Sequence, residues 1–211
     1  WSKDYEAWQD KKFTKHWIND KKSILDIKNL SYSNNYGDNK IIMNLRIDGS
    51  GNVSIDKSKD GNSDGGVNDL ITRYINYLSG DLFGLLSYNF ELIDKENDFS
   101  VEVKPNAGLN DNLLATTVKD FINIKNSVQF GSATGDTLTG YNGQDHLYGS
   151  AEADTLEGKE GDDYLEGKEG HDTYKLTSNG NGVDTIFDSD GKGSLEIDGE
   201  GIGKQTFTGL I

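Results

Sequence analysis

The chain has 211 residues, and its 36 acidic against 21 basic side chains give a formal charge of −15, which repels phosphate backbones and anionic headgroups and favours a cation as partner over nucleic acid or a membrane surface. Cysteine is absent, which excludes disulfides and thiolate metal sites, and three scattered histidines argue against a zinc enzyme. No run approaches the length of a membrane span, 33% hydrophobic residues are thin for a conventional core throughout, and the opening at Trp1 without Met reads as a piece of a larger parent chain.

Trp1, Tyr5, Trp8, Phe13 and Trp17 recur near helical spacing, so residues 1–22 read as an amphipathic helix whose aromatic stripe packs on the rest of the protein or on a partner. Residues 23–130 read as an α+β module of unassigned role. Ile24 to Ile27 and Ile41, Met43, Leu45 and Ile47 read as strands, and the turn at 48–52 leads into Val53 and Ile55 as a hairpin. The loop that follows places Asp56, Ser58, Asp60 and Gly61 like the first ligands of an EF-hand loop, with Asp64 further on. Val67 stands where a bidentate Glu is expected, and Asp69 is the nearest substitute, so Asp56, Ser58, Asp60, Asp64 and Asp69 form a secondary metal candidate beside the plainer reading of a solvated loop. Helical periods at 67–78 and 113–122 flank strands at Tyr88 to Ile93 and Phe99 to Val103. No zinc-protease, nucleophile-elbow or phosphate-loop motif occurs, and His16, His146 and His171 read as structural or exposed, so no catalytic residue is assigned.

Composition changes at Phe130. Residues 1–130 hold 19 acids and 16 bases, whereas residues 131–211 hold 17 acids, 5 bases and 17 of the 26 glycines. Such a segment would ordinarily read as disordered, but it is periodic. From Gly131 it runs GSATGDTLT, GYNGQDHLY, GSAEADTLE, GKEGDDYLE and GKEGHDTYK, and NGNGVDTIF follows after three further residues. Gly opens the first five units (Gly131, Gly140, Gly149, Gly158, Gly167). Asp stands sixth in all six (Asp136, Asp145, Asp154, Asp163, Asp172, Asp184), and a large apolar residue stands eighth (Leu138, Leu147, Leu156, Leu165, Tyr174, Ile186). A Gly-containing loop turns the chain, and the next three residues make a short strand whose middle side chain points inward. Two units make one coil, and stacked coils pile the eighth residues into a core and align the carboxylates of units n and n+2 along each edge. Those carboxylates repel unless a hard divalent cation such as Ca²⁺ joins them, with turn carbonyls completing its oxygen shell.

These residues resemble the RTX, or hemolysin-type, calcium-binding nonapeptide repeat, G-G-x-G-x-D-x-U-x with U a large apolar residue, over residues 131–187. The resemblance implies a parallel β-roll with calcium held by the six Asp and by loop backbone at Gly131, Gly140, Gly143, Gly149, Gly158, Gly161, Gly167, Gly170 and Gly182. It predicts about three to four ions. Departures at the second position, among them Ser132, Tyr141, Lys159 and Lys168, leave backbone carbonyls to serve. Residues 188–211 read as a short β cap in which the repeat phase is lost, with Asp-Gly turns at 190–191 and 198–199.

The expected fold is therefore an α+β N-terminal module followed by a parallel β-roll and a short β cap. The expected function is a calcium-binding, non-enzymatic module of a secreted bacterial RTX protein, a toxin or adhesin. The family implies type I secretion and folding in extracellular calcium. Alternatives are an accessory part of a secreted RTX enzyme and a fragment that binds a host or matrix component.

Overall fold

The computed structural model describes residues 13–33, 39–47, 53–55, 89–105, 123–179 and 182–201. Helix α1 (Lys15–Ser33) opens at Thr14, whose Oγ1 accepts the Trp17 amide at 3.1 Å as an N-cap. Trp17, Asp20, Ile24 and Ile27 recur at three- and four-residue spacing and are all buried. The helix thus runs through position 22, and Ile24 to Ile27 are helical rather than a strand. No Gly or Pro breaks the period, and packing of both isoleucines overrides their β preference.

Strands β1 (Lys40–Ile47) and β2 (Val53–Ile55) form the expected hairpin, with Leu45 opposite Ile55. Strands β3 (Phe90–Asp94) and β4 (Phe99–Pro105) form a second, with Leu92 opposite Val101, and β1 lies parallel to β4. Phe90, Leu92, Phe99, Val101 and Val103 share one buried cluster with Trp17, Ile24 and Ile27 of the helix. The periodic segments at 67–78 and 113–122 and the candidate loop from Asp56 to Asp69 lie outside the described residues.

Strands β5 (Asn126–Phe130), β7 (Asp145–Tyr148), β9 (Tyr164–Lys168) and β11 (Thr185–Asp188) are parallel neighbours in one sheet. Strands β6 (Thr137–Thr139), β8 (Thr155–Glu157), β10 (Thr173–Leu176) and β12 (Ser194–Ile197) are parallel neighbours in the other. Successive units therefore alternate between sheets, and residues 127–197 form a parallel β-solenoid. Leu138, Leu147, Leu156, Leu165 and Tyr174 are fully buried in one cluster between the sheets, with Ile186 and Leu195 packed against it. Leu156→Ala is expected to cost about 2–5 kcal/mol, read as a lower Tm of the calcium-loaded protein. An unchanged Tm would mean that the stack is held by its edges alone.

The structure refines one sequence expectation and revises another. The N-terminal strands precede the roll as expected and are continuous with it, a join the sequence did not define, because β3 pairs with β5 and makes one eight-stranded sheet in the order β11-β9-β7-β5-β3-β4-β1-β2. This covers the edge that β5 would otherwise expose. The nine-residue phase, in contrast, is not lost after Phe187. Asp188 directly follows unit six, Gly193 takes the sixth place and Leu195 the eighth, and β12 pairs in parallel with β10, Leu195 opposite Tyr174. Only then does the chain reverse, at Asp198 and Gly199 (φ +53° and +80°), into β13 (Glu200–Gly201) antiparallel to β12.

Candidate metal centre

The sixth-position carboxylates lie along the two edges of the roll, Asp136, Asp154 and Asp172 on one and Asp145, Asp163 and Asp184 on the other. On each edge the backbone amide of one Asp donates to Oδ1 of the Asp one coil later. Asp136 donates to Asp154 at 2.7 Å and Asp154 to Asp172 at 2.9 Å. Asp145 donates to Asp163 at 2.9 Å and Asp163 to Asp184 at 3.2 Å. The ladder needs an Asp at every sixth place and brings like charges together one coil apart.

The first-position glycines are buried because the carboxylate of their own unit folds over them. A Cβ on Gly140 would lie 2.5 Å from Asp145 Oδ2 and from the Gly158 carbonyl oxygen, and one on Gly149 2.5 Å from Asp154 Oδ2. Glycine here is a requirement of space. At the fourth place it is also one of conformation, since Gly161, Gly170 and Gly182 have φ of +115°, +127° and +147°.

The second oxygens divide the units into two groups. In units one to three Oδ2 accepts the second-position amide of its own loop, from Ser132 at 2.6 Å, Tyr141 at 2.7 Å and Ser150 at 2.6 Å. In units four and five the second position is Lys159 and Lys168, at φ +81° and +76°. Here a lysine adopts the left-handed turn that the repeat pattern assigns to glycine. Asp163 Oδ2 and Asp172 Oδ2 are correspondingly buried without a hydrogen-bond partner. Buried unpaired carboxylate oxygens are costly, and a cation is the partner that fits them.

The electrostatics agree. Burial, with repulsion from Asp145, Asp184 and Asp162, pushes Asp163 up to about 8 against the amide of Asp145. Burial also pushes Asp145 and Asp172 up to about 6 and raises Asp154 and Asp184. Asp136 differs: the Ser132 amide and the Lys95 ammonium outweigh burial and hold it below the ordinary carboxylate range. Among the described residues no three His, Cys, Asp or Glu side chains converge on one point. A cation here would draw on two carboxylates one coil apart and on loop carbonyls, a hard oxygen set suited to Ca²⁺.

Several contributors were not assigned from the sequence. Ser127, one coil before Asp145, takes the sixth place of a unit ahead of Gly131, and its Oγ donates to Asp145 Oδ1 at 2.6 Å. Gln129 takes the eighth place of that unit and donates to Ser127 Oγ and the Thr139 carbonyl. Extending the nine-residue register backwards would have found both. In the last coil Asp188 stands first and accepts the amides of Asp190, Gly191 and Gly193 and the Tyr174 hydroxyl, closing its loop without a sixth-position Asp.

Helix α1 docks on the sheet of the even-numbered units. Asp20, fully buried, accepts from His146 Nδ1 at 2.7 Å and from the Tyr148 hydroxyl, Thr14 donates to Glu166 at 2.5 Å, and the Lys168 ammonium lies over the rings of Phe13 and Trp17. Trp17 and His146 therefore serve packing, while Trp1, Tyr5 and Trp8 lie outside the described residues.

A family model described as the RTX calcium-binding nonapeptide repeat (4 copies) matches residues 130–165 and 139–174. Comparison with curated proteins and with solved structures gave no match.

Proposed function

Residues 130–174 being RTX calcium-binding nonapeptide repeats, we propose that the chain is a calcium-binding, non-enzymatic module of a secreted bacterial RTX protein that completes its fold on meeting extracellular calcium. The observation that carries this reading is the pair of buried, unpartnered oxygens on Asp163 and Asp172. Three sites would use Asp136 with Asp154, Asp145 with Asp163, and Asp154 with Asp172, and a fourth would use Asp163 with Asp184. Loop carbonyls of Gly131, Gly140, Gly143, Gly149, Gly158, Gly161, Gly167, Gly170 and Gly182 are the candidates for the remaining oxygens. Bound calcium supplies the positive charge that removes carboxylate repulsion, and binding then becomes folding free energy.

Folding outside the cell suits passage through a type I channel as an extended chain. Among the described residues no helix is long and apolar enough to cross a membrane. Asp20 and His146, an acid–imidazole pair, spend their hydrogen bond on docking α1, which supports a structural rather than a catalytic role.

The test is hydrogen exchange resolved by peptide across a calcium titration, with magnesium as control. Calcium is expected to protect residues 149–197, and magnesium, which demands a tighter octahedral shell, is not. Asp154→Ala, which removes a carboxylate shared by two sites, is expected to raise the calcium midpoint several-fold. Equal protection by both metals, or an unchanged midpoint, would overturn the reading.

A further inference from the structure

We propose that Lys95 is a tethered cation that closes the first carboxylate edge of the roll, so that residues 131–148 fold against the N-terminal sheet without calcium; the inference rests on the calcium reading above. In later coils Asp Oδ1 accepts an amide from the coil before. Among the described residues no such coil precedes Asp136. Its Oδ1 instead accepts from Lys95 Nζ at 3.0 Å, and the same ammonium donates to the Thr137 carbonyl at 3.0 Å. One cation thus holds together a carboxylate and a backbone carbonyl at the start of β6, both oxygen acceptors of the kind a bound cation draws on.

Lys95 is fixed for this task. It begins the β3–β4 turn, its amide donates to the Phe130 carbonyl at 3.0 Å, and its carbonyl accepts the Asp98 amide at 3.3 Å. Its place is therefore set by β3 and β5.

The opposite edge is closed by the same part of the chain. Ser127 holds Asp145, Asn126 Oδ1 accepts the Gln144 amide at 2.8 Å, and Tyr141 of the second loop donates to Glu91 at 2.5 Å. Lys125 completes that contact, 2.7 Å from Glu91 and over the Tyr141 ring. Every carboxylate oxygen of Asp136 and Asp145 therefore has a partner within the protein, as does each of Asp154, which takes the Asp136 amide of the first coil, whereas among the sixth-position Asp the buried unpartnered oxygens are those of Asp163 and Asp172. The structure assigns the first coil to a nucleus that folds without metal, and the folding of the later coils to calcium, which at the boundary would share Asp136 and Asp145 with Asp154 and Asp163.

The experiment is hydrogen exchange on the full chain, in chelator and in saturating calcium, for the natural protein, Lys95→Met and Lys95→Arg. In chelator, residues 131–148 of the natural protein are expected to exchange at least about tenfold more slowly than residues 149–187. Lys95→Met keeps the apolar stem and loses the ammonium. It should abolish that difference in chelator and recover protection in calcium, while Lys95→Arg keeps the difference. Protection of residues 90–105 reports whether Lys95→Met has kept the N-terminal sheet. If it has not, Asp136→Asn, which removes the other charge, is expected to give the same loss over 131–148. Fast exchange of 131–148 in the natural protein without calcium would overturn the inference, as would full protection in Lys95→Met or, where that variant loses its sheet, in Asp136→Asn. If calcium protects no part of 149–187, the calcium reading itself fails, and the inference with it. Calcium-dependent protection there with no effect of Lys95 defeats the inference alone.

Discussion

Asp163→Asn is expected to move two equilibria in opposite directions, raising the calcium midpoint for folding of residues 149–197 by at least about tenfold while stabilising the calcium-free roll. Asn can keep the acceptor that Oδ1 offers the Asp145 amide and removes the charge on the oxygen that is buried without a partner. In the absence of metal that charge is a liability, because burial and the neighbouring Asp145, Asp184 and Asp162 oppose it. In calcium the same charge is what holds the ion, and its loss leaves the site one carboxylate short. A calcium titration and a thermal melt in chelator, each on both proteins, read the two effects. Equal midpoints would remove Asp163 from the binding site, and a lower Tm of the variant in chelator would show that its carboxylate is satisfied as it stands.

The pH response should also reverse with calcium. Asp163 is raised from 3.8 to about 8 in the folded protein, and Asp145 and Asp172 from 3.8 to about 6. A folded state that binds protons more tightly than the unfolded chain is stabilised at low pH. That contribution is fully present below about pH 4 and is lost as pH rises through about 6 for Asp145 and Asp172 and about 8 for Asp163. The calcium-free roll is therefore expected to melt at a higher temperature at pH 5 than at pH 8. Calcium has to displace those protons, so its midpoint should rise by at least about tenfold between pH 8 and pH 6. Asp163→Asn should flatten most of that rise. A midpoint independent of pH would mean that the carboxylates are already ionised before calcium arrives.

The legible part of the sequence was the part that repeats. A sixth-position Asp in six units and a large apolar eighth residue specified the edges and the core, and the structure stacks them one coil apart as the period requires. Where the pattern thinned, the reading stopped short. Ser127 and Gln129 occupy places in a coil whose letters no longer match, and Gly193 stands at the place where the six units carry Asp, yet backbone pairing carries the register through both. Ile24 and Ile27 differ from the strand their sequence suggests for a related reason: two isoleucines carry β preference, and only the surface they pack against shows which period applies.

By itself the sequence determined the roll, its apolar stack and the two rows of carboxylates, because local period and residue type are sufficient when each unit meets a copy of itself. Tertiary structure decided which carboxylates are already satisfied. Lys95 lies 41 residues before Asp136 and Glu91 lies 50 before Tyr141, and no spacing rule links them. The parallel pairing of β3 with β5 sets the N-terminal sheet beside the first coil and brings those charges into contact. Electrostatic satisfaction depends on distance through space, so the division between a self-sufficient first coil and later coils with unpaired oxygens became visible only when the chain was folded.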